Sequence, residues 1–185
     1  MMEYLLRSQR LGLRNWEQTD LAPFAEMGRD PEVMRYLPKL LSEKESEAFI
    51  ERMQQHFLTY GYCYFAVDHL ETKEFIGFTG LMQQPWESKF TPAVDMGWRL
   101  KRSAWGKGFA SEAALVCLEA AHTAFQLNEV YAFAAQGNSA SEKVMQKIGM
   151  TYVGNFEHPK LANDDRFEYC IAYRKRFSEI RAVRA

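Results

Sequence analysis

At 185 residues, 47% of them hydrophobic and with a formal net charge of −1, the chain has enough apolar material for one sizeable core and too little charge imbalance to stay unfolded. The balanced charge excludes a global basic field for nucleic acid, no apolar run approaches the roughly 18 residues of a membrane span, and Met1 to Arg7 carry neither a leader-like hydrophobic stretch nor a cleavage site. The cysteines Cys63, Cys117 and Cys170 lie far apart in apolar periodic segments and the histidines are scattered, which predicts buried reduced thiols, no metal site and a cytoplasmic protein.

Ser8 to Trp16 reads as a first strand, with Leu11 and Leu13 alternating against polar neighbours. Thr19 or Asp20 can cap a short helix to about Gly28, with Pro23 in its first turn. Asp30-Pro31 opens a further turn or short helix carrying Val33, Met34 and Tyr36. Ser42 to Thr59 is the next helix: Ser42 and Glu45 form a capping-box pattern, and Ala48, Phe49, Met53 and Phe57 recur at helical spacing until Tyr60-Gly61 breaks it.

Strands over Tyr62 to Leu70 and Glu74 to Gln83 flank a hairpin turn at Glu71-Thr72-Lys73. A polar loop holding Pro85 and Pro92 leads to the strand Val94 to Leu100. A glycine-bearing loop then opens a long amphipathic helix to about Phe125. Glu129 to Ala135 is a strand, Ser139 to Ile148 a helix ended by Gly149 in the manner of a left-handed cap, and Thr151 to Phe156 and Arg166 to Phe177 are the final strands. Early hairpins imply antiparallel neighbours, while the later strand–helix–strand unit implies a parallel pair. The expected architecture is a single α/β (mixed α+β) domain over residues 1–185, with helices on both faces of a mostly antiparallel central sheet of about seven strands.

The glycine loop, Ser103-Ala104-Trp105-Gly106-Lys107-Gly108-Phe109-Ala110, is the most informative stretch. Its glycines allow a tight turn and close approach of a ligand to the main chain, and the free amides at the helix start favour a phosphate or pyrophosphate. A nucleotide P-loop fails, because Gly106-Lys107 is followed by Gly108 rather than Ser or Thr and Lys101 stands where the first glycine belongs. A dinucleotide fingerprint fails at Ser111, where a third glycine is required.

The loop resembles the coenzyme A loop of the GNAT acetyltransferase superfamily, Gln/Arg-x-x-Gly-x-Gly/Ala, with Ser103 in the first place. Trp105 to Ala113 is similar to the Trp-Gly-x-Gly-aromatic-Ala-x-Glu-Ala signature of the branch that includes ribosomal-protein N-terminal acetyltransferases. Asn138-Ser139-Ala140-Ser141, followed by Met145, Lys147, Ile148, Gly149 and Met150, resembles that branch's Asn-x-x-Ser…Lys-x-Gly motif, and Arg35-Tyr36-Leu37-Pro38 and His158-Pro159 are similar to further segments typical of the branch. The likeness runs from about Leu11 to Phe177.

The resemblance implies a sheet splayed between its fourth and fifth strands and direct transfer of an acetyl group from acetyl-CoA to a primary amine, with no acyl-enzyme. The residues agree by omission, since there is no Cys/His motif and no Gly-x-Ser-x-Gly elbow. On this likeness the amides of Gly106, Lys107, Gly108, Phe109 and Ala110 hold the pyrophosphate, Lys101, Arg102 and Lys107 add charge nearby, and Ser103 and Trp105 bind the cofactor beside them. The main chain of Trp98, Arg99 and Leu100 pairs with the pantetheine arm, and Asn138 hydrogen-bonds it.

Met145 stands where many superfamily members carry a tyrosine acid, so Ser141 is the available hydroxyl for the leaving sulfur. Asp95 is the first candidate base, with Glu157 and His158 as rivals, and Tyr36, Trp86 and Phe90 are candidate walls of the acceptor groove. Deprotonating a lysine amine of pKa about 10.4 at pH 7 costs roughly 4.6 kcal/mol, against about 1.1 kcal/mol for an α-amino group near 7.8. The sequence therefore favours a protein N-terminus or amino-acid-like amine. Acetylation of another small-molecule amine, a noncatalytic acyl-CoA-binding module on the same fold, and a homodimer stay open.

Overall fold

The computed structural model describes residues 3–159, 161, 164 and 166–177, so Met1 and Met2 of the N-terminal reading lie outside the described residues. The strands are β1 (Leu6–Arg7), β2 (Leu11–Arg14), β3 (Tyr64–His69), β4 (Phe75–Ser88), β5 (Thr91–Leu100), β6 (Glu129–Ala135), β7 (Thr151–Glu157) and β8 (Tyr169–Arg176). The helices are α1 (Leu21–Arg29), α2 (Glu43–Tyr60), α3 (Phe109–Thr123) and α4 (Ser139–Lys147). The strands form one sheet in the order β1-β2-β3-β4-β5-β6-β8-β7.

Every neighbouring pair is antiparallel except β5 and β6, which run parallel and are registered at one pair, Asp95 with Tyr131. The sheet has eight strands because the two-residue β1 adds an edge beyond the expected first strand. The parallel junction accordingly falls between the fifth and sixth strands. Past Asp95 the two strands part, and residues of both, Trp98 to Leu100 and Phe133 to Ala135, line one cleft.

Local chemistry explains most element boundaries. Ser42 accepts from the Glu45 amide while the Glu45 carboxylate accepts from the Ser42 amide, and Gly61 at φ +76° ends α2. Gly149, at φ +75°, follows α4.

Asp20 corrects the sequence reading: its side chain does not cap α1. Its oxygens instead receive Arg14 Nη1 and Nη2 at 2.7 and 2.8 Å, while Asp68 receives Arg14 Nε at 2.7 Å. The three charges are buried together, and each satisfies the others' hydrogen bonds.

The segment from Pro85 to Pro92, expected as a loop, is the end of a long β4–β5 hairpin with its turn at Lys89-Phe90. The register shifts between Gln84 and Ser88. Proline has no amide to give a ladder, and an irregular stretch of this kind is where a strand accommodates it.

The core fills both faces of the sheet. Phe78 of β4 meets Phe24 of α1 and Phe49 of α2 at ring separations of 6.1 and 5.2 Å. On the other face α3 buries Ala113, Ala114, Cys117, Leu118 and Ala121, and Cys117 approaches Cys63. The three cysteines are free and buried. Burial pushes the thiols of Cys63 and Cys117 far above their ordinary range, so they act as small apolar core residues. Among the described residues no helix is long and apolar enough to cross a membrane.

Candidate active site

The parting of β5 from β6 opens a cleft of about 740 Å³. Asp95, Trp98, Arg99, Leu100, Trp105, Gly106, Gly108, Phe109, Ala110, Asn138 and Ser141 all line it, together with Tyr36 and Trp86. Ser103 and Lys107 are outside the lining. Phe90 is outside it too, because the extended hairpin carries its ring onto Phe156 and Tyr131, at 5.6 and 6.2 Å. His158 lines the cleft, 4.6 Å from the Trp86 ring, whereas Glu157 does not.

The floor of one end is the glycine loop. Gly106 and Gly108 both take the left-handed conformation, at φ +74° and +79°. A Cβ at Gly106 would meet nothing within 4 Å, so that position opens onto free space, and the first amides of α3 have no acceptor within their own helix. The carboxylate of Glu112, in the first turn, accepts from Ser8 Oγ at 2.6 Å, from the Arg10 amide at 3.0 Å and from Arg10 Nε at 2.8 Å. Arg10 Nη2 in turn donates to the Lys107 carbonyl at 3.1 Å, and its guanidinium sits 4.5 Å from the Phe109 ring. The loop is thereby clamped from outside while its cleft side stays free.

Facing the loop is the start of α4. Asn138 Oδ1 accepts from the Ser141 amide at 3.2 Å, an ordinary N-cap bond. Ser141 Oγ has no hydrogen-bond partner among the described residues. Lys143 and Lys147, one helical turn apart, add positive charge to the lining. Met145 is fully buried in the core, so the side chain in the family's tyrosine position does not reach the cleft.

Asp95 lines the cleft where β5 and β6 part. Tyr64 Oη donates to Asp95 Oδ1 at 2.6 Å, and Gln84 Nε2 donates to the same oxygen at 3.0 Å. Gln84 is itself oriented by Trp86, whose indole donates to its Oε1 at 2.9 Å. Oδ2 has no protein partner among the described residues, yet it is not one of the buried unpartnered atoms. The carboxylate is thus gripped by one oxygen and presents the other.

Burial pushes the Asp95 carboxyl up to about 6, a shift that the two hydrogen bonds partly restrain. The Tyr64 hydroxyl is held well above its ordinary value by burial and by the neighbouring carboxylate, which keeps it a donor. Sequence reasoning placed Asp95 on its strand but missed Tyr64 and Gln84. Tyr64 lies two strands away, and Gln84 fell just beyond the expected end of its strand.

Against known proteins, residues 10–151 match the family model described as an acetyltransferase (GNAT) domain. The uncharacterized protein YkkB of Bacillus subtilis (strain 168) is 32% identical over 148 residues, covering 80% of this chain and 85% of that protein. A GNAT-family acetyltransferase from Bacillus anthracis superposes with a TM-score of 0.78 at 23% identity, over 92% of this chain and 97% of its own. RimL, a ribosomal L7/L12 α-N-protein acetyltransferase solved with coenzyme A, superposes with a TM-score of 0.76 at 15% identity, over 95% of this chain and 98% of its own. At such identities these structures show a shared fold.

Proposed function

The chain belongs to the GNAT acetyltransferase family, and from that premise we propose that it moves an acetyl group from acetyl-CoA directly to a primary amine, with Asp95 as the base. The observation that carries the reading is the asymmetric grip on Asp95: Oδ1 occupied by Tyr64 and Gln84, Oδ2 without a partner among the described residues. A carboxyl near pH 6 is ionised at neutrality, and it is a stronger base than an ordinary aspartate.

The residues fit the cosubstrate. The open amides at Gly106 to Ala110 suit a pyrophosphate, and Lys143 and Lys147 supply counter-charge. The unzipped edge of β5 beyond Asp95 suits an amide-bearing arm, which can add to it as a strand would. When bound, acetyl-CoA supplies an acetyl thioester, whose carbonyl carbon accepts the amine nitrogen and whose sulfur leaves as thiolate. Asp95 Oδ2 takes the proton released by the amine. Ser141 Oγ donates a hydrogen bond to the departing sulfur; a thiol of pKa about 8.5 needs orientation more than full protonation.

An α-amino acceptor suits this base better than a lysine. Proton transfer to a carboxyl near 6 from an ammonium near 7.8 is uphill by about 2 kcal/mol, against roughly 6 kcal/mol from one near 10.4. The proposed acceptors are therefore protein N-termini first, and second amino-acid-like amines, whose ammonium titrates between these two values. Free thiol is measured after mixing acetyl-CoA with peptides of varied N-terminal residue, amino acids, lysine side-chain analogues and polyamines. Turnover with α-amines is the expected result. Tight coenzyme A binding in calorimetry with no thiol released by any amine would instead mark a noncatalytic binder.

A further inference from the structure

Arg99 Nη1 is the one buried side-chain nitrogen or oxygen among the described residues that is left without a hydrogen-bond partner. Among the described residues no hydrogen bond or ion pair holds the rest of this guanidinium either, and its neighbour is the face of Phe78, 5.3 Å away. A guanidinium half-withdrawn from water with no counter-charge among the described residues is costly, and an anion that pairs with its accessible edge offsets that cost. Burial lowers its pKa to about 10, which still leaves it charged at neutral pH.

The register tells which part of the cleft this charge serves. β5 pairs with β4 without a break from Val94 to Leu100, so Asp95, Gly97 and Arg99 share one face and Met96, Trp98 and Leu100 the other. Contacts run continuously along the first face. The Arg99 guanidinium lies over Phe78, Phe78 stacks on Tyr64 at 5.5 Å, and Tyr64 bonds Asp95. The unpartnered cation and the presented carboxylate oxygen are two ends of one surface. Its Cα span is about 13 Å, four strand residues.

We infer that Arg99 binds a carboxylate carried by the acceptor itself, so that the substrate class is an amine bearing an acidic group: a free amino acid, or a peptide with an acidic side chain near its N-terminus. The inference rests on the transferase reading and narrows its acceptor. Asp95 receives the amine, and Arg99 offers the Nε and Nη2 edge, which is outside the buried set, to the carboxylate in a fork geometry. Polyamines, which carry only positive charge, meet an unpaired cation here and are disfavoured.

The test uses matched acceptors: glutamate against glutamic acid diamide, and the peptides Ala-Asp-Ala-amide and Ala-Glu-Ala-amide against their Asn and Gln counterparts. Steady-state acetylation is measured for wild type and Arg99→Gln, and binding to the coenzyme A-loaded protein is measured by calorimetry. Wild type favours a carboxylate-bearing member over its partner at least tenfold in kcat/KM, through KM, and Arg99→Gln brings that ratio close to one. Preference for glutamate alone marks a free amino acid, and preference among the peptides alone marks an N-terminus.

Equal turnover of all partners by wild type would overturn the carboxylate site and leave the transferase reading standing. Selective binding of carboxylates without any acetyl transfer would sink the transferase reading and keep the site. A drop in coenzyme A affinity in Arg99→Gln as large as the loss of selectivity would assign the guanidinium to the cosubstrate instead.

Discussion

Tyr64 and Asp95, on strands separated by β4, share a 2.6 Å hydrogen bond that crosses above Gly97, where a Cβ would come within 3.0 Å of the Tyr64 ring. Glycine at that position lets the phenol reach the carboxylate. The bond also favours the ionised form of Asp95. Tyr64→Phe therefore moves the acid limb of the pH profile of kcat/KM to higher pH, while Asp95→Asn removes that limb and lowers kcat by roughly 10²–10³-fold. A profile unmoved in Tyr64→Phe would separate the phenol from the base.

The same carboxylate makes stability depend on pH. Its folded value of about 6 lies above its unfolded value near 3.9, so the folded state binds the proton more tightly. Stability is then highest below pH 4 as far as this group is concerned, and falls as pH rises through about 6. Asp95→Asn keeps an oxygen for Tyr64 and Gln84 and is more stable than wild type at pH 7 to 8, by up to about 3 kcal/mol, with no gain below pH 4. Denaturant titrations at pH 4 and pH 8 measure both values, and an equal difference at the two would contradict the assigned shift.

Glu112 acts in the opposite sense. Ser8 and Arg10 hold its carboxyl below the usual range despite partial burial. Its contribution is present above the unfolded pKa and disappears as pH falls through the depressed folded value. Glu112→Gln loosens Arg10 from the Lys107 carbonyl and weakens coenzyme A binding by about 5–30-fold, a loss of about 1–2 kcal/mol, chiefly through the loop. Calorimetry at pH 7.5 reads the change, and an unaltered Kd would make the clamp purely structural.

Ser141→Ala tests the leaving-group contact. Its amide stays bonded to Asn138, so α4 keeps its cap, and the variant loses only the hydroxyl that faces the cleft. kcat falls about tenfold, in line with one hydrogen bond of about 1–1.5 kcal/mol, while the Kd for coenzyme A changes little. An unchanged kcat would leave the thiol to depart unaided.

What the sequence made legible was local. The glycine loop, the Ser42 capping box and the Gly149 terminus follow from residues within a few positions of one another, and each stands in the structure where its spacing predicts. What it hid were contacts set by register. Nothing near Tyr64 announces that its hydroxyl meets Asp95, and Arg99 was assigned through its main chain because the pairing that turns its side chain toward Phe78 is a property of two strands. Pro85 and Pro92 read as loop markers, yet an irregular hairpin absorbed them and carried Phe90 away from the cleft. Asp20 looked like a helix cap until Arg14, a partner buried beside it, claimed its oxygens.

The single registered pair between β5 and β6 gives the molecule two strand borders that face each other without meeting. Such borders are normally found at the rim of a sheet, where solvent tends them. Here they sit at its middle, and on the proposed function an extended guest rich in amides closes the seam and joins the two halves. Among residues 97–100, the amides that point away from β4 then exchange rapidly in the empty protein and slowly in the loaded one. A cosubstrate that binds the folded form alone stabilises it by mass action, so a Tm that climbs with acetyl-CoA concentration is the expected result.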